Sequence, residues 1–176
     1  MNELLVITAI GEDRPGIVDE LSHILFDADV NIEDSRMSIL GGEFAIILLV
    51  SGKPEALAQI QNEQSKLEQA LKLKLLIKAT HARQPQQNTI PYTIKVVGMD
   101  NPGIVHRLSR FLSQHHINID DLETESYPAP HTGTPMFAVT MTVDIPGELS
   151  TSKLRDEFIE LCDAQNLDAH FSPLEP

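Results

Sequence analysis

The sequence has no tryptophan, a single cysteine (Cys162), two tyrosines and six phenylalanines in 176 residues, and half as many basic residues as acidic ones, 13 against 26. One cysteine leaves no disulfide framework and no multi-cysteine metal site. A formal net charge of −13 argues against direct nucleic-acid binding, because phosphate binding needs a basic surface. No apolar run reaches membrane-spanning length: Met1-Asn2-Glu3 is followed only by the seven-residue run Leu4–Ile10, without the basic region of a signal peptide. The reading is a soluble, cytoplasmic protein, and its 41% apolar residues are enough for a packed core.

What is present is present twice. Gly11-Glu12-Asp13-Arg14-Pro15-Gly16-Ile17-Val18 recurs as Gly98-Met99-Asp100-Asn101-Pro102-Gly103-Ile104-Val105, an offset of 87 residues. The register holds through Asn31/Asn118, Ile32/Ile119 and Asp34/Asp121, whereas Phe44-Ala45 matches Phe137-Ala138 at an offset of 93, so the second copy carries six extra residues. Arg83-Gln84-Pro85-Gln86-Gln87-Asn88, polar and aperiodic, separates the copies. The expected organisation is a domain over 1–82, a linker over 83–91 and a domain over 92–176. Units this small tend to need a further surface to pack against. The acid excess is spread over both: 13 acidic against 8 basic residues in 1–84, net −5, and 13 against 5 in 85–176, net −8.

Each copy follows the same order. Leu4–Ile10 reads as a strand and Gly11–Arg14 as a turn, with Asp13 as a cap and Pro15 in a first helical turn. Ile17, Val18, Leu21, Ile24, Leu25 and Ala28 fall at helical spacing. Val30–Leu40 and Phe44–Val50 flank Gly41-Gly42, a hairpin signal. Lys53-Pro54 opens a second helix with Leu57, Ile60, Leu67 and Leu71 on one face, and Leu73–Ile77 is a last strand. The second copy repeats this from Tyr92 to Phe171. The fold class is α+β: two tandem ferredoxin-like βαββαβ domains, each a four-stranded antiparallel sheet with two helices on one face. Phe44–Val50 is apolar throughout, whereas Phe137–Val143 alternates with Thr140 and Thr142. The helix-free face of the first sheet is therefore expected to be covered, with Ile46, Leu48 and Val50 on it, and that of the second to be wetter.

The chemical candidates are the repeated turns, Asp13-Arg14-Pro15-Gly16-Ile17 and Asp100-Asn101-Pro102-Gly103-Ile104. They deliver the chain to a helix N-terminus, where free N–H groups and the dipole favour a carboxylate. Asn31-Ile32 and Asn118-Ile119 start the second strand of each copy, and an Asn there offers a donor and an acceptor. A free amino acid needs an anion site and an acceptor for its ammonium, which the set supplies if a neighbouring domain closes the site. Ordinary turn chemistry accounts for the same residues, with Asp capping, Pro-Gly turning and Asn bonding its own backbone.

Asp-x-Pro-Gly-Ile-Val followed by Asn-Ile, within two βαββαβ units, resembles the ACT domain family, small-molecule-sensing modules of amino-acid metabolism. More narrowly, Leu5–Ala9, Asp13–Val18, Asn31–Arg36 and Gly42–Phe44 through Ser51-Gly52 resemble the family of glycine cleavage system transcriptional repressors, over nearly the whole chain. The resemblance implies a non-enzymatic regulator without a DNA-binding domain or cofactor. Such a regulator represses the operon by binding a transcriptional activator protein and is relieved by glycine; the small size of the units adds the expectation of a homo-oligomer. The ligand residues it implies are Asp13, Arg14, Pro15, Gly16, Ile17, Asn31 and Ile32, with Asp100, Asn101, Gly103, Ile104, Asn118 and Ile119. The second copy departs where Arg14 becomes Asn101 and Ser35-Arg36 becomes Leu122-Glu123. The alternative is a stand-alone ACT regulatory subunit controlling a metabolic enzyme.

Other features read as structural. His115-His116 adjoin at a helix end and point apart, so they suit the dipole better than a metal. Cys162 lies on the stripe Leu154, Phe158, Leu161 and reads as a small core residue. Asp120-Asp121, Glu123, Glu125 and Glu33-Asp34 read as a solvated strand face. Tyr127–Pro135, with three Pro and a Gly, reads as a loop inserted in a hairpin, either tolerated or partner-binding. RNA-recognition domains share this strand order but stack bases on sheet aromatics between basic flanks, which the strands here lack. No nucleophile–base pair, metal spacing or phosphate loop points to catalysis.

Overall fold

A computed structural model describes residues 3–84 and 88–174. The chain divides into two compact units, Met1–Gln84 and Pro85–Pro176. Met1-Asn2 and the centre of the expected linker, Pro85-Gln86-Gln87, lie outside the described residues.

The first unit runs β1 (Glu3–Glu12), α1 (Ile17–Asp27), β2 (Asn31–Leu40), β3 (Glu43–Gly52), α2 (Pro54–Asn62), α3 (Gln64–Leu71) and β4 (Lys74–Thr80). Its sheet is antiparallel in the order β2-β3-β1-β4. The second unit runs β5 (Thr89–Met99), α4 (Ile104–Gln114), β6 (Asn118–Pro128), β7 (Pro135–Pro146), α5 (Thr151–Asp163) and β8 (Leu167–Pro173), with the order β6-β7-β5-β8. Each unit is a ferredoxin-like α+β domain with its helices on one face of the sheet.

The helical stripes predicted from spacing form the cores. Ile17, Leu21 and Leu25 of α1 are buried against Leu5, Ile7 and Ala9, and Ile104, Leu108 and Leu112 of α4 against Ile94 and Val96. Residues four apart stack on one helix face, so three per helix suffice to seal it. Phe158 is fully buried between Phe111 and Phe171, with ring centroids at 5.4 and 5.8 Å. Cys162 sits beside it in the core, and burial pushes its thiol up to about 11.

Four expectations change. The second helix of the first unit is not continuous: it breaks at Glu63 (φ −92°, ψ 7°) into α2 and α3, although Leu57, Ile60 and Leu71 stay buried and Leu67 packs on them. The linker ends sooner than residue 91, because Thr89, Ile90 and Pro91 pair with Pro146, Ile145 and Asp144. The Tyr127–Pro135 segment is only partly a loop: Tyr127 and Pro128 extend β6 opposite Met136 and Pro135, and Ala129 N–H donates to Thr134 O across the turn at 2.8 Å. Proline is tolerated there because β6 is an edge strand. Finally, Ile46, Leu48 and Val50 face the helices and are buried, so the helix-free face of β3 carries Ala45, Ile47 and Leu49 instead. The apolar run hid which of its two alternating faces was which.

Candidate functional site

The repeated turns have one shape. β1 ends at Glu12, and Asp13 N–H donates to Gly42 O of the β2–β3 hairpin at 3.0 Å; Asp100 N–H donates to Pro135 O at 2.9 Å in the equivalent place. The chain then passes through Gly16 (φ 92°) or Gly103 (φ 91°) into α1 or α4. A positive φ disfavours any residue with a Cβ, which explains both glycines. At Gly16 the space itself is open, since a Cβ would meet only Glu20 Oε1, at 3.6 Å. Asp13 is not the helix cap expected for it: Gly16 and Gly103 hold the N-cap positions, and no side chain caps either helix. The first N–H groups of α1 and α4 are thus left to other acceptors, next to the positive end of the dipole.

Around this shape the two copies differ by a charge exchange. In the first, Arg14 donates to both oxygens of Glu20, at 2.7 and 2.6 Å, and to Leu71 O at 3.1 Å. The shared hydrogen bonds raise the Arg14 pKa and lower that of Glu20. In the second, Asn101 stands in place of Arg14 and Arg107 in place of Glu20. Arg107 donates to Asn101 Oδ1 at 2.7 Å, to Pro102 O at 3.2 Å and to Gln165 Oε1. Arg14 is therefore a brace between the turn and the end of α3. Glu20 belongs to this brace, and Arg107 and Gln165 to its counterpart in the second unit; each of these is an ordinary polar helix or loop residue in the sequence, which carries no signal of the contact.

The asparagines sit elsewhere. Asn31 pairs with Ser51 and Glu12 with Glu43, at opposite ends of β3. Eight residues of strand separate them, about 27 Å. Asn118 opposite Asp144 and Met99 opposite Met136 repeat that separation. The turn and the Asn of one copy do not converge. At its own end, Asn31 Nδ2 donates to Glu33 at 3.1 Å, and Ser51 Oγ donates to the same carboxylate oxygen. These two donors hold Glu33 below the usual carboxylate range, Ser51 contributing most. Asn118 Nδ2 donates to Asp120 at 2.7 Å. Both carboxylates sit where the ladder skips a residue, between Ile32 and Asp34 and between Ile119 and Asp121. Ile17 and Ile104 are buried core residues, Ile119 packs against the core, and Ile32 is exposed.

Other candidates resolve locally. His115 ends α4, stacks on Phe111 at 4.5 Å and lies 3.6 Å from Glu157. It lines a cleft of about 140 Å³ with Ser150, Lys153 and Glu157, at the far end of α4 from Gly103. Among the described residues no group of three or more His, Cys, Asp or Glu is arranged to hold a metal, and no helix is long and apolar enough to cross a membrane.

Two βαββαβ units, each turning through Asp-x-Pro-Gly into an uncapped helix, define ACT-domain architecture, and the ACT domain family profile matches residues 3–80. The glycine cleavage system transcriptional repressor of Escherichia coli is 32% identical over 162 residues, covering 92% of this chain and 85% of that one. A crystal structure of an unknown protein from Galdieria sulphuraria superposes with a TM-score of 0.83 at 30% identity, covering 99% of this chain and 100% of the other. A crystal structure provisionally named as a glycine cleavage system transcriptional repressor superposes at 0.75 with 26% identity, covering 100% and 99%. The chain belongs to the glycine cleavage system transcriptional repressor family of tandem ACT-domain proteins.

Proposed function

We propose that the protein is a non-enzymatic repressor of the glycine cleavage operon that binds a transcriptional activator protein and is released by glycine. The observation that carries the ligand part is the pair of uncapped helix N-termini entered through Gly16 and Gly103. A ligand carboxylate meets the first N–H groups of α1 or α4 there, beside Asp13, Arg14, Pro15 and Ile17 or Asp100, Asn101 and Ile104. The ammonium of a small amino acid needs acceptors. Asn31 with Glu33, or Asn118 with Asp120, offers an amide oxygen beside a carboxylate. Because each Asn lies at the far end of its own sheet, the turn and the Asn of one module do not reach the same ligand, and the turn is the part of the site that the carboxylate uses. The ligand acts as a switch by favouring one arrangement of modules over the other.

Titration calorimetry with glycine, alanine and serine tests the ligand. Glycine is expected to bind, and Asn31→Ala to weaken it without lowering the melting temperature. Affinity capture from cell extract tests the partner: a transcription factor retained without glycine and eluted by it is expected. No heat with any of the three at millimolar concentration overturns the ligand. Capture of a metabolic enzyme alone favours the regulatory-subunit reading.

A further inference from the structure

The two sheets have four edge strands, β2 and β4 in the first, β6 and β8 in the second. β2 and β6 each skip a residue of the ladder and carry charge, which discourages a further strand. β4 and β8 run in unbroken register along β1 and β5. Which of their backbone groups point outward follows from one pair of bonds. Leu75 N–H donates to Glu68 Oε1 at 2.9 Å, and Gln64 Nε2 donates to Leu75 O at 2.8 Å, both partners lying on α3. Leu75 therefore turns its peptide groups away from β1. Inward and outward residues alternate along an antiparallel strand, so Ile77 and Ala79 turn theirs outward too. The α3 side chains take the place of a paired strand at Leu75 and stop there. In β8 the residue equivalent to Ala79 is Pro173, opposite Tyr92 as Ala79 is opposite Leu5. Proline has no N–H and closes that edge. β4 keeps an outward N–H and C=O at both Ile77 and Ala79.

The side chains beside this stretch also differ between the copies. Lys74, Leu76 and Lys78 lie on the helix-free side of β4, where β8 has Asp168, His170 and Ser172. Leu76 is 67% exposed. Lys74 lies 3.9 Å from Glu68, whereas Lys78 stands opposite Val6. From Gln69 to Met99 the sequence has no acidic residue and five basic ones, Lys72, Lys74, Lys78, Arg83 and Lys95, in a chain of net charge −13. β4 is a cationic edge on an acidic protein.

We infer that the edge of β4 binds an extended, acidic segment of another protein by strand addition. Ile77 and Ala79 offer two N–H donors and two C=O acceptors at the spacing of alternate strand residues. An antiparallel partner strand sets a carboxylate opposite Lys78 and an apolar side chain opposite Leu76, on one face. A nucleic acid meets the lysines but has no peptide groups to pair with the edge. The stretch lies against Ile7 and Leu5, at the end of β1 away from the Asp-x-Pro-Gly turn, so the inference stands whether or not the turns bind glycine.

The probe is the peptide Ser-Thr-Glu-Val-Leu-Thr-Ser, blocked at both ends and titrated to about 1 mM into the isotope-labelled full chain. Its Glu faces Lys78 when its Leu faces Leu76. Saturable amide shifts at Ile77 and Ala79 in the nuclear magnetic resonance spectrum are expected, with slower hydrogen exchange at both. Lys in place of the peptide's Glu, or Lys78→Glu in the chain, is expected to weaken binding about fivefold, and the two changes together to restore it. Ala79→Pro is expected to abolish binding without lowering the melting temperature, since β8 accommodates Pro173 at that place. No saturable shift at Ile77 and Ala79, binding that survives Ala79→Pro, a charge exchange that fails to restore affinity, or a DNA strand that gives the same shifts and protection overturns the inference.

Discussion

Arg14 and Arg107 occupy different positions of the repeat yet reach the same point of the fold. Arg14 Nη2 donates to Leu71 O at 3.1 Å, and Arg107 Nε donates to the side chain of Gln165. Leu71 and Gln165 correspond, each directly preceding a left-handed residue, Lys72 (φ 56°) or Asn166 (φ 55°), that leads into the last strand. A guanidinium thus ties the turn to the end of the following helical segment in both units. It issues from the turn in one and from the helix in the other.

Exchanging the two arrangements tests this equivalence. Arg14→Asn alone leaves Glu20 without its partner and is expected to lower the melting temperature slightly, since the pair is a third or more exposed. Adding Glu20→Arg installs the second copy's pattern and is expected to recover most of the loss. Calorimetric melting of the two variants and the parent checks it; a double variant no better than the single rejects the shared role.

The same brace sets an acid limit. Glu20 has a lowered pKa in the folded chain, mainly through its hydrogen bonds with Arg14. A lowered folded value means stability that is fully present above the unfolded value of about 4.3 and lost as pH falls through the folded value. Glu20→Gln abolishes this part of the titration. Its stability deficit against the parent is expected at pH 7 and to shrink progressively as the pH falls below the unfolded value of about 4.3, as measured by urea unfolding.

Two glycines should fail for different reasons. A Cβ at Gly16 meets open space but requires φ of 92°, so Gly16→Ala is expected to cost about 1–2 kcal/mol through backbone strain alone. At Gly98 a Cβ falls 2.4 Å from Leu167 Cδ2 and 3.2 Å from Asn166 O, so Gly98→Ala overpacks the core, at about 1–3 kcal/mol. Pairing Gly98→Ala with Leu167→Ala relieves only the second kind. Urea unfolding of the single and paired variants separates them.

Cys162 is fully buried, with its thiol pushed up to about 11 by burial. It is expected to resist an aromatic disulfide reagent at pH 8 in the folded protein and to react completely once unfolded in urea. Reaction in the native state at the unfolded rate contradicts the core position.

The architecture was legible because the signals repeat. The offset of 87 residues, the stripes from Ile17 and Ile104 and the Gly41-Gly42 turn fix every strand of both sheets and the place of their helices. The break at Glu63 was not legible, since Leu57, Ile60, Leu67 and Leu71 keep one spacing across it. The facing of Phe44–Val50 was not legible either, because both of its alternating sets are apolar and only the helices decide between them. Of the candidate site, the turns and their glycines were readable from Pro-Gly chemistry. The Glu20 and Arg107 contacts were not, because each is an ordinary helical charge until the fold brings it to residue 14 or 101.

The edge strands β2 and β6 remain. Both run almost wholly exposed, and each carries a skipped residue and a line of charge: Glu33, Asp34 and Arg36 in one, Asp120, Asp121, Glu123 and Glu125 in the other. An uncovered edge is a template for unwanted strand addition, and bulges and charges are what discourage it. Part of the acid excess therefore serves as edge protection. It keeps two small sheets with open borders from growing into one another along β2 and β6.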